Sequence, residues 1–164
     1  MNKPLVLAVA EGLLILGTAT AADPPFMKDG YWSIHTQITE NPGGKKTEST
    51  QSICRNRAYQ EYVRNLAKNQ KGCKLPVESY TGATFTQEAD CVVGGSTIHS
   101  KGVTTMQGDS GTHTESRTTN SPALYGVSET ITVMDQKFLG ACPAGIVPGD
   151  IVHANGTKTN SWKH

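Results

Sequence analysis

The sequence predicts a mainly β fold: an antiparallel meander that forms a curved sheet or barrel-like half-barrel, with one α-helix packed on it and two disulfides. Three observations carry this reading. Several stretches alternate apolar and polar residues with the two-residue period of a half-buried strand, and Gly, Asn and Pro pairs punctuate them. A single stretch switches to the helical period. The cysteines are even in number, Cys54, Cys73, Cys91 and Cys142, as in a disulfide framework.

The chain opens with Lys3, an apolar run from Leu5 to Leu16 and the small-residue site Ala19-Thr20-Ala21, which reads as a signal peptide over 1–21. The run is shorter than the about 20 residues a membrane helix needs, and Glu11 interrupts it. No second long apolar run follows, so no transmembrane segment is expected in the mature chain. The remainder divides into a single β-rich domain, 22–142, and a loosely ordered C-terminal tail, 143–164.

After the stiff Asp23-Pro24-Pro25, Trp32, Ile34 and Ile38 alternate with Ser33, His35, Gln37 and Thr39 to make the first strand. Asn41-Pro42-Gly43-Gly44 turns the chain, and a polar strand from Lys45 to Ile53 ends at Cys54. The helix spans about Asn56–Gln70, with Tyr59, Tyr62, Val63, Leu66 and Ala67 as its apolar stripe. Asn56 caps its start, Lys68 and Lys71 suit the negative end of its dipole, and Gly72 stops it. The sheet is the only apolar surface on which that stripe can lie.

Cys73 to Cys91 folds about Gly82 as a hairpin in which position 73 faces 91, 75 faces 89, 77 faces 87 and 79 faces 85. Cys73, Leu75 and Val77 then share a face with Cys91, Ala89 and Phe85, opposite Lys74, Glu78, Glu88 and Asp90. The facing pair gives a Cys73–Cys91 disulfide and leaves Cys54–Cys142. A zinc site competes poorly, since no Cys-x-x-Cys spacing occurs. A Gly94-Gly95 turn leads to a strand from Ser96 to Met106, and Gln107 to Gly111 turns again. Thr112 to Thr119 is polar on both faces, which suits an edge or a solvent-facing strand, or else a polar lumen, and Asn120-Ser121-Pro122 breaks it. From Tyr125 to Lys137 the residues Tyr125, Val127, Ile131 and Val133 share one face. In the tail, Asn155-Gly156 marks a small hairpin. The pattern does not separate a closed barrel from an open curved sheet.

Four pieces form an ordered set: Met27-Lys28-Asp29-Gly30-Tyr31-Trp32-Ser33-Ile34, the lone Cys54 before a helix, the Cys73…Cys91 hairpin, and Phe138-Leu139-Gly140-Ala141-Cys142-Pro143. Together they resemble the bacterial family called domain of unknown function 3617. The resemblance implies a small exported, periplasmic protein. It transfers no catalytic or binding residue.

A net charge of +1 offers neither the clustered basic surface that nucleic acid requires nor the one an anionic membrane requires. Gly108-Asp109-Ser110-Gly111 copies a serine-protease nucleophile motif, but the residue types are those of a hairpin turn. His35, His99, His113, His153 and His164 show no ligand spacing, so no metal or cofactor is expected. Glu78, Glu88 and Asp90 beside Lys74 read as a solvated ion-pair face. Asn155-Gly156-Thr157 fits a glycosylation sequon but is explained by its turn. The expectation is therefore a non-catalytic envelope protein that binds a small apolar ligand in a cavity lined by Trp32, Ile34, Phe85, Ile131 and Val133. The alternative is a structural or protein-interaction role without ligand, and enzyme activity is not expected.

Overall fold

The structure is a computed structural model that describes residues 27–74 and 76–162. The leader expected over 1–21, the lead-in at 23–25, Leu75 and His164 lie outside the described residues. Nine strands and one helix follow in the order β1 (Gly30–Asn41), β2 (Lys45–Arg55), α1 (Arg57–Lys68), β3 (Val77–Thr81), β4 (Thr84–Val93), β5 (Ser96–Gln107), β6 (Gly111–Leu124), β7 (Val127–Gly140), β8 (Asp150–His153) and β9 (Lys158–Asn160). They form a single open antiparallel sheet ordered β3-β4-β5-β6-β7-β1-β2-β8-β9. Strands β3 and β9 are its free margins, so the barrel does not close.

The alternation in β1 places Trp32 and Ile34 on the helix-facing side, opposite Ile53 of β2 and Phe138 of β7. Trp32, Ile34, Ile53 and Tyr59 form the buried centre, with Phe138, Met134, Ile151 and Trp162 packed around it. The Trp32 indole meets the edge of Phe138 at 5.4 Å between centroids and donates its Nε1–H to the Lys28 carbonyl at 2.8 Å. Burying an indole removes roughly 150–250 Å² from water, an upper-side contribution of about 4–6 kcal/mol.

Helix α1 starts where the sequence places it. The Asn56 side chain accepts from the Tyr59 amide at 2.8 Å, and the Asn69 amide closes the other end on Asn65 and Leu66. Gln60 clamps the first turn to the lead of β1 with bonds of 2.8 and 2.9 Å to the Met27 backbone. Of the apolar stripe, Tyr59 alone is buried, and Val63 and Leu66 remain 43% and 54% exposed. The helix is buried at its first turn, and space separates its later stripe from the sheet.

Both disulfides pair as expected, Cys54–Cys142 across 88 residues and Cys73–Cys91 across 18. Chain-entropy reasoning assigns about 3 kcal/mol to the short loop and about 4.5 kcal/mol to the long one.

Four expectations need correction. In the β3–β4 hairpin Val77 opposes Glu88, and Tyr80 opposes Phe85, one residue out of the expected register, although Cys73 still opposes Cys91. The turn is the two-residue Gly82-Ala83, with Gly82 at φ +59°. A slip of one residue exchanges faces, so Glu78 turns inward beside Gln87, and Val77 turns outward, 72% exposed.

Strand β6 is not an edge; it lies between β5 and β7 and runs past Pro122 to Leu124. Its inward hydroxyls pair across the ladder, Thr114 with Thr104 at 2.9 Å and Thr118 with Ser100 at 3.0 Å, so the polar-lumen reading holds. On β7 the inward residues are Met134, Gln136 and Phe138, in register with Thr36, Ile34 and Trp32. Ile131 and Val133, opposite Thr39 and Gln37, therefore face outward.

Residues 143–162 are not a loose tail. Strand β8 extends the sheet beside β2, β9 closes a hairpin through the Asn155-Gly156 turn, and Trp162 packs on Tyr59 at 5.8 Å. Asp150, 2% exposed, organises this hairpin by accepting from the Val147 amide at 3.0 Å, Asn160 at 2.8 Å and Lys158 at 3.2 Å. The Val147 amide first, then Asn160, hold its carboxyl below the usual range. A depressed carboxyl contributes stability that is full above the ordinary Asp value of about 3.9 and is lost as pH falls through the folded value. Asp150→Ala is expected to lower the unfolding free energy by about 2 kcal/mol at neutral pH, measured by urea denaturation. The gap to the native protein should narrow below about pH 4.

Candidate functional site

The stand-off of α1 leaves a cavity of about 460 Å³ between the helix and the concave face of the sheet. From the helix, Tyr59, Gln60, Val63, Arg64 and Ala67 form its roof. From the sheet, Phe85, Met106 and Met134 supply apolar wall, and Thr104, Thr112 and Thr114 supply a hydroxyl floor. Glu78 of β3 and Ile53 of β2 both border it, although they stand six strand positions apart. In a flat sheet that separation is about 29 Å, so the sheet curls beneath the helix. The space persists because the floor residues are small. A second hollow of about 230 Å³ continues from it over Ala89, Ser100, Gly102 and Ser116, sharing Phe85, Gln87, Thr104 and Thr114 with the first.

Arg55 is the unusual member of this wall. It is the last residue of β2, next to the Cys54–Cys142 bridge, and only 8% exposed. Its guanidinium stacks over Trp32 at 5.4 Å, donates Nη1–H to the Met27 sulfur at 2.7 Å and donates Nη2–H to Gln136 Oε1 at 2.9 Å. These partners are all neutral. Burial pulls its pKa down to about 10, partly opposed by Tyr59, so it stays charged at neutral pH. Its Nε and the Thr112 Oγ1 are the buried side-chain polar atoms without a hydrogen-bond partner among the described residues.

Opposite Arg55 on β1 stands Gly30. A Cβ at Gly30, which sits at φ +141°, would stand 2.3 Å from the Gly140 carbonyl oxygen and 2.7 Å from the Phe138 ring. Only glycine allows β1 and β7 to meet this closely at that point.

Of the five residues expected to line a ligand cavity, Phe85 does so. Trp32 and Ile34 lie on the same side of the sheet but are packed into the core, at 1% and 7% exposure. Ile131 and Val133 are on the opposite side. Sequence reasoning missed Arg55, Thr112, Met134 and Gln136. The alternation that begins at Phe138 and runs back through Gln136 and Met134 was the signal for two of them.

His35, His99 and His113 and most carboxylates sit on the outer face, whereas His153 shares the face of Ile151. His99 bonds Asp90 at 2.8 Å, and Asp90 is also 3.7 Å from Lys74, as the ion-pair reading expects. Lys101 pairs with Glu88 at 2.6 Å. Glu78, by contrast, faces the cavity and accepts from Gln87 at 3.0 Å. His113 lies between Asp135 at 2.7 Å and Glu115 at 3.3 Å, with His35 opposite Asp135 on the next strand. Ser110 and Asp109 belong to the turn before β6, where Lys28 meets Asp109 at 3.4 Å.

A family model described as a protein of unknown function (DUF3617) matches residues 27–142. The chain belongs to the DUF3617 family. The DUF3617 match takes in both disulfides, the helix and the strands that build the cavity, and ends at Cys142, ahead of the β8–β9 hairpin. No curated protein matches the chain. Two disulfides suit this DUF3617 member to an oxidising environment. Among the described residues no helix is long and apolar enough to cross a membrane.

Two outcomes are expected from this geometry. Asp135 first, then Glu115, raise the His113 imidazole above its ordinary value. The protonated ring therefore stabilises the fold fully below about pH 6.5, and that contribution is lost as pH rises through the folded value. An NMR titration should show His113 titrating above its ordinary value, and Asp135→Asn should bring it down. Arg55→Met is expected to leave the empty protein as stable as before or up to about 2 kcal/mol more stable, because it removes a desolvated charge that has no counter-ion. Thermal unfolding of the purified variant measures this.

Proposed function

We propose that this protein is an exported, periplasmic, non-catalytic binding module that holds a small apolar ligand or acyl chain between α1 and the concave face of the sheet. The observation that carries the reading is the construction of the cavity. Val63 and Ala67 face Phe85, Met106 and Met134 across space that no side chain fills. A volume of about 460 Å³ falls within the about 300–1,000 Å³ of small-molecule sites. Export is supported by the leader pattern over 1–21 and by both disulfides. Binding is favoured over catalysis because the titratable pairs, His113 with Asp135 and His99 with Asp90, lie on the face turned away from the cavity.

A second reading has its own support. Strand β3 ends the sheet with an unpaired margin and carries the exposed Val77, which suits strand addition by a protein partner.

The neutral dye N-phenyl-1-naphthylamine, which brightens in apolar surroundings, discriminates the two. The native protein should take it up. Ala67→Trp and Thr114→Phe, which fill the cavity from roof and floor, should each weaken uptake by about 10-fold or more while circular dichroism stays unchanged. Native mass spectrometry of protein purified from its own host should show a co-purifying small molecule. Absence of both dye uptake and a co-purifying molecule sinks the ligand reading and leaves the β3 margin as the surface to pursue by cross-linking.

A further inference from the structure

Resting on the ligand-binding reading above, we propose that the occupant of the cavity is a monoanionic amphiphile, a medium- or long-chain carboxylic acid. Its carboxylate meets Arg55 and Thr112, and its aliphatic tail lies along Val63, Phe85, Met106 and Met134.

The two orphaned polar atoms carry the inference. The Arg55 Nε and the Thr112 Oγ1 belong to side chains 8% and 2% exposed, and both residues border the same cavity. An unpaired buried donor costs about 1–3 kcal/mol, and more when charged, so two in one wall imply a missing partner. Gln136 joins them. It accepts from Arg55 at 2.9 Å and is the cross-strand neighbour of Thr112. The bond from Arg55 orients the Gln136 Oε1 toward the guanidinium, and its amide N–H groups remain to donate. One guanidinium N–H, one hydroxyl and one amide therefore converge from β2, β6 and β7, a donor set that fits the two oxygens of a carboxylate.

Charge fixes the valence of the head group. Among the described residues Arg55 has no carboxylate partner, and its other two nitrogens are held by a sulfur and a neutral amide. One uncompensated positive charge matches one negative charge. The other charged groups on the cavity are Arg64 on the roof and Glu78, which stands on β3, three strands from Thr112, and is held by Gln87. Beyond the donor cluster the walls become aliphatic and aromatic. A free inorganic anion would leave them unfilled, and a neutral apolar molecule would leave Arg55 uncompensated.

The test is displacement of N-phenyl-1-naphthylamine at neutral pH by dodecanoic acid, dodecan-1-ol and dodecyl phosphate, each below its micelle concentration. The acid should displace the dye about 10-fold or more better than the alcohol from the native protein. Arg55→Met should still bind the dye but treat acid and alcohol alike. Thr112→Val, which keeps shape and loses the hydroxyl, should cut the preference several-fold and stands in should Arg55→Met fail to fold. Dye uptake with equal displacement by acid and alcohol overturns the carboxylate assignment and leaves the binding reading intact. Stronger displacement by the phosphate also overturns it, as does a preference that survives in both variants, which would place recognition at Arg64. Absence of dye uptake by the native protein overturns both readings together.

Discussion

The constraint on which the rest of this structure depends is the covalent tie between Cys54 and Cys142. It sits where β2 ends, directly before α1 and directly after β7. The adjoining contacts fix the first turn of the helix: the Asn56 cap, the burial of Tyr59 and the two-way bond between Gln60 and Met27. Further along α1, Val63 and Leu66 stay exposed, and the chain that leaves the helix is tied across to β4 by Cys73–Cys91. A helix buried at its first turn and exposed along its later stripe leaves the space beneath it over the curling sheet. The same junction also places Arg55, the residue after Cys54, inside the wall and away from water.

Retention of Arg55 in that wall works against stability. A desolvated guanidinium balanced by a sulfur, an amide oxygen and the face of Trp32 is poorly compensated, whereas an aliphatic side chain of similar length would pack without cost. The two disulfides and the Trp32 centre supply enough stability to carry it. Unfavourable local chemistry inside a well-stapled frame is the arrangement expected of a site shaped for something other than folding.

Much of the frame was legible in the sequence. The alternation of Trp32 and Ile34, the Asn56 cap, the helical period and the Cys73–Cys91 pairing depend on local chemistry, which a sequence states openly, and Cys54–Cys142 follows as the pair left over. The face of β7 was misread because β-branched Ile131 and Val133 look like core, although β-branched residues also favour the outward side of a strand. The β3 register was misread because a two-residue turn at Gly82-Ala83 and a three-residue turn centred on Gly82 differ by one position, and that one position exchanges Val77 for Glu78. The C-terminal hairpin was hidden because Asp150 gathers its partners from Val147, Lys158 and Asn160, a set without periodicity. Arg55 was the least visible. An arginine between a cysteine and a helix cap reads as solvent-exposed, and only the assembled sheet brings Gln136 and Thr112 to it.

The open margins of the sheet bear on the trough itself. In a closed barrel the strand count and stagger set one radius, and the interior has a fixed calibre. Here β3 and β9 share no hydrogen bonds, so no ring of backbone contacts dictates how tightly the strands roll. The Cys73–Cys91 staple stiffens the margin at β3, and the Cys54–Cys142 staple stiffens the junction at β2. On the binding reading proposed above, the calibre of the trough would follow its occupant rather than a fixed ring of backbone contacts, and ligands of different girth would fit without breaking a strand pairing.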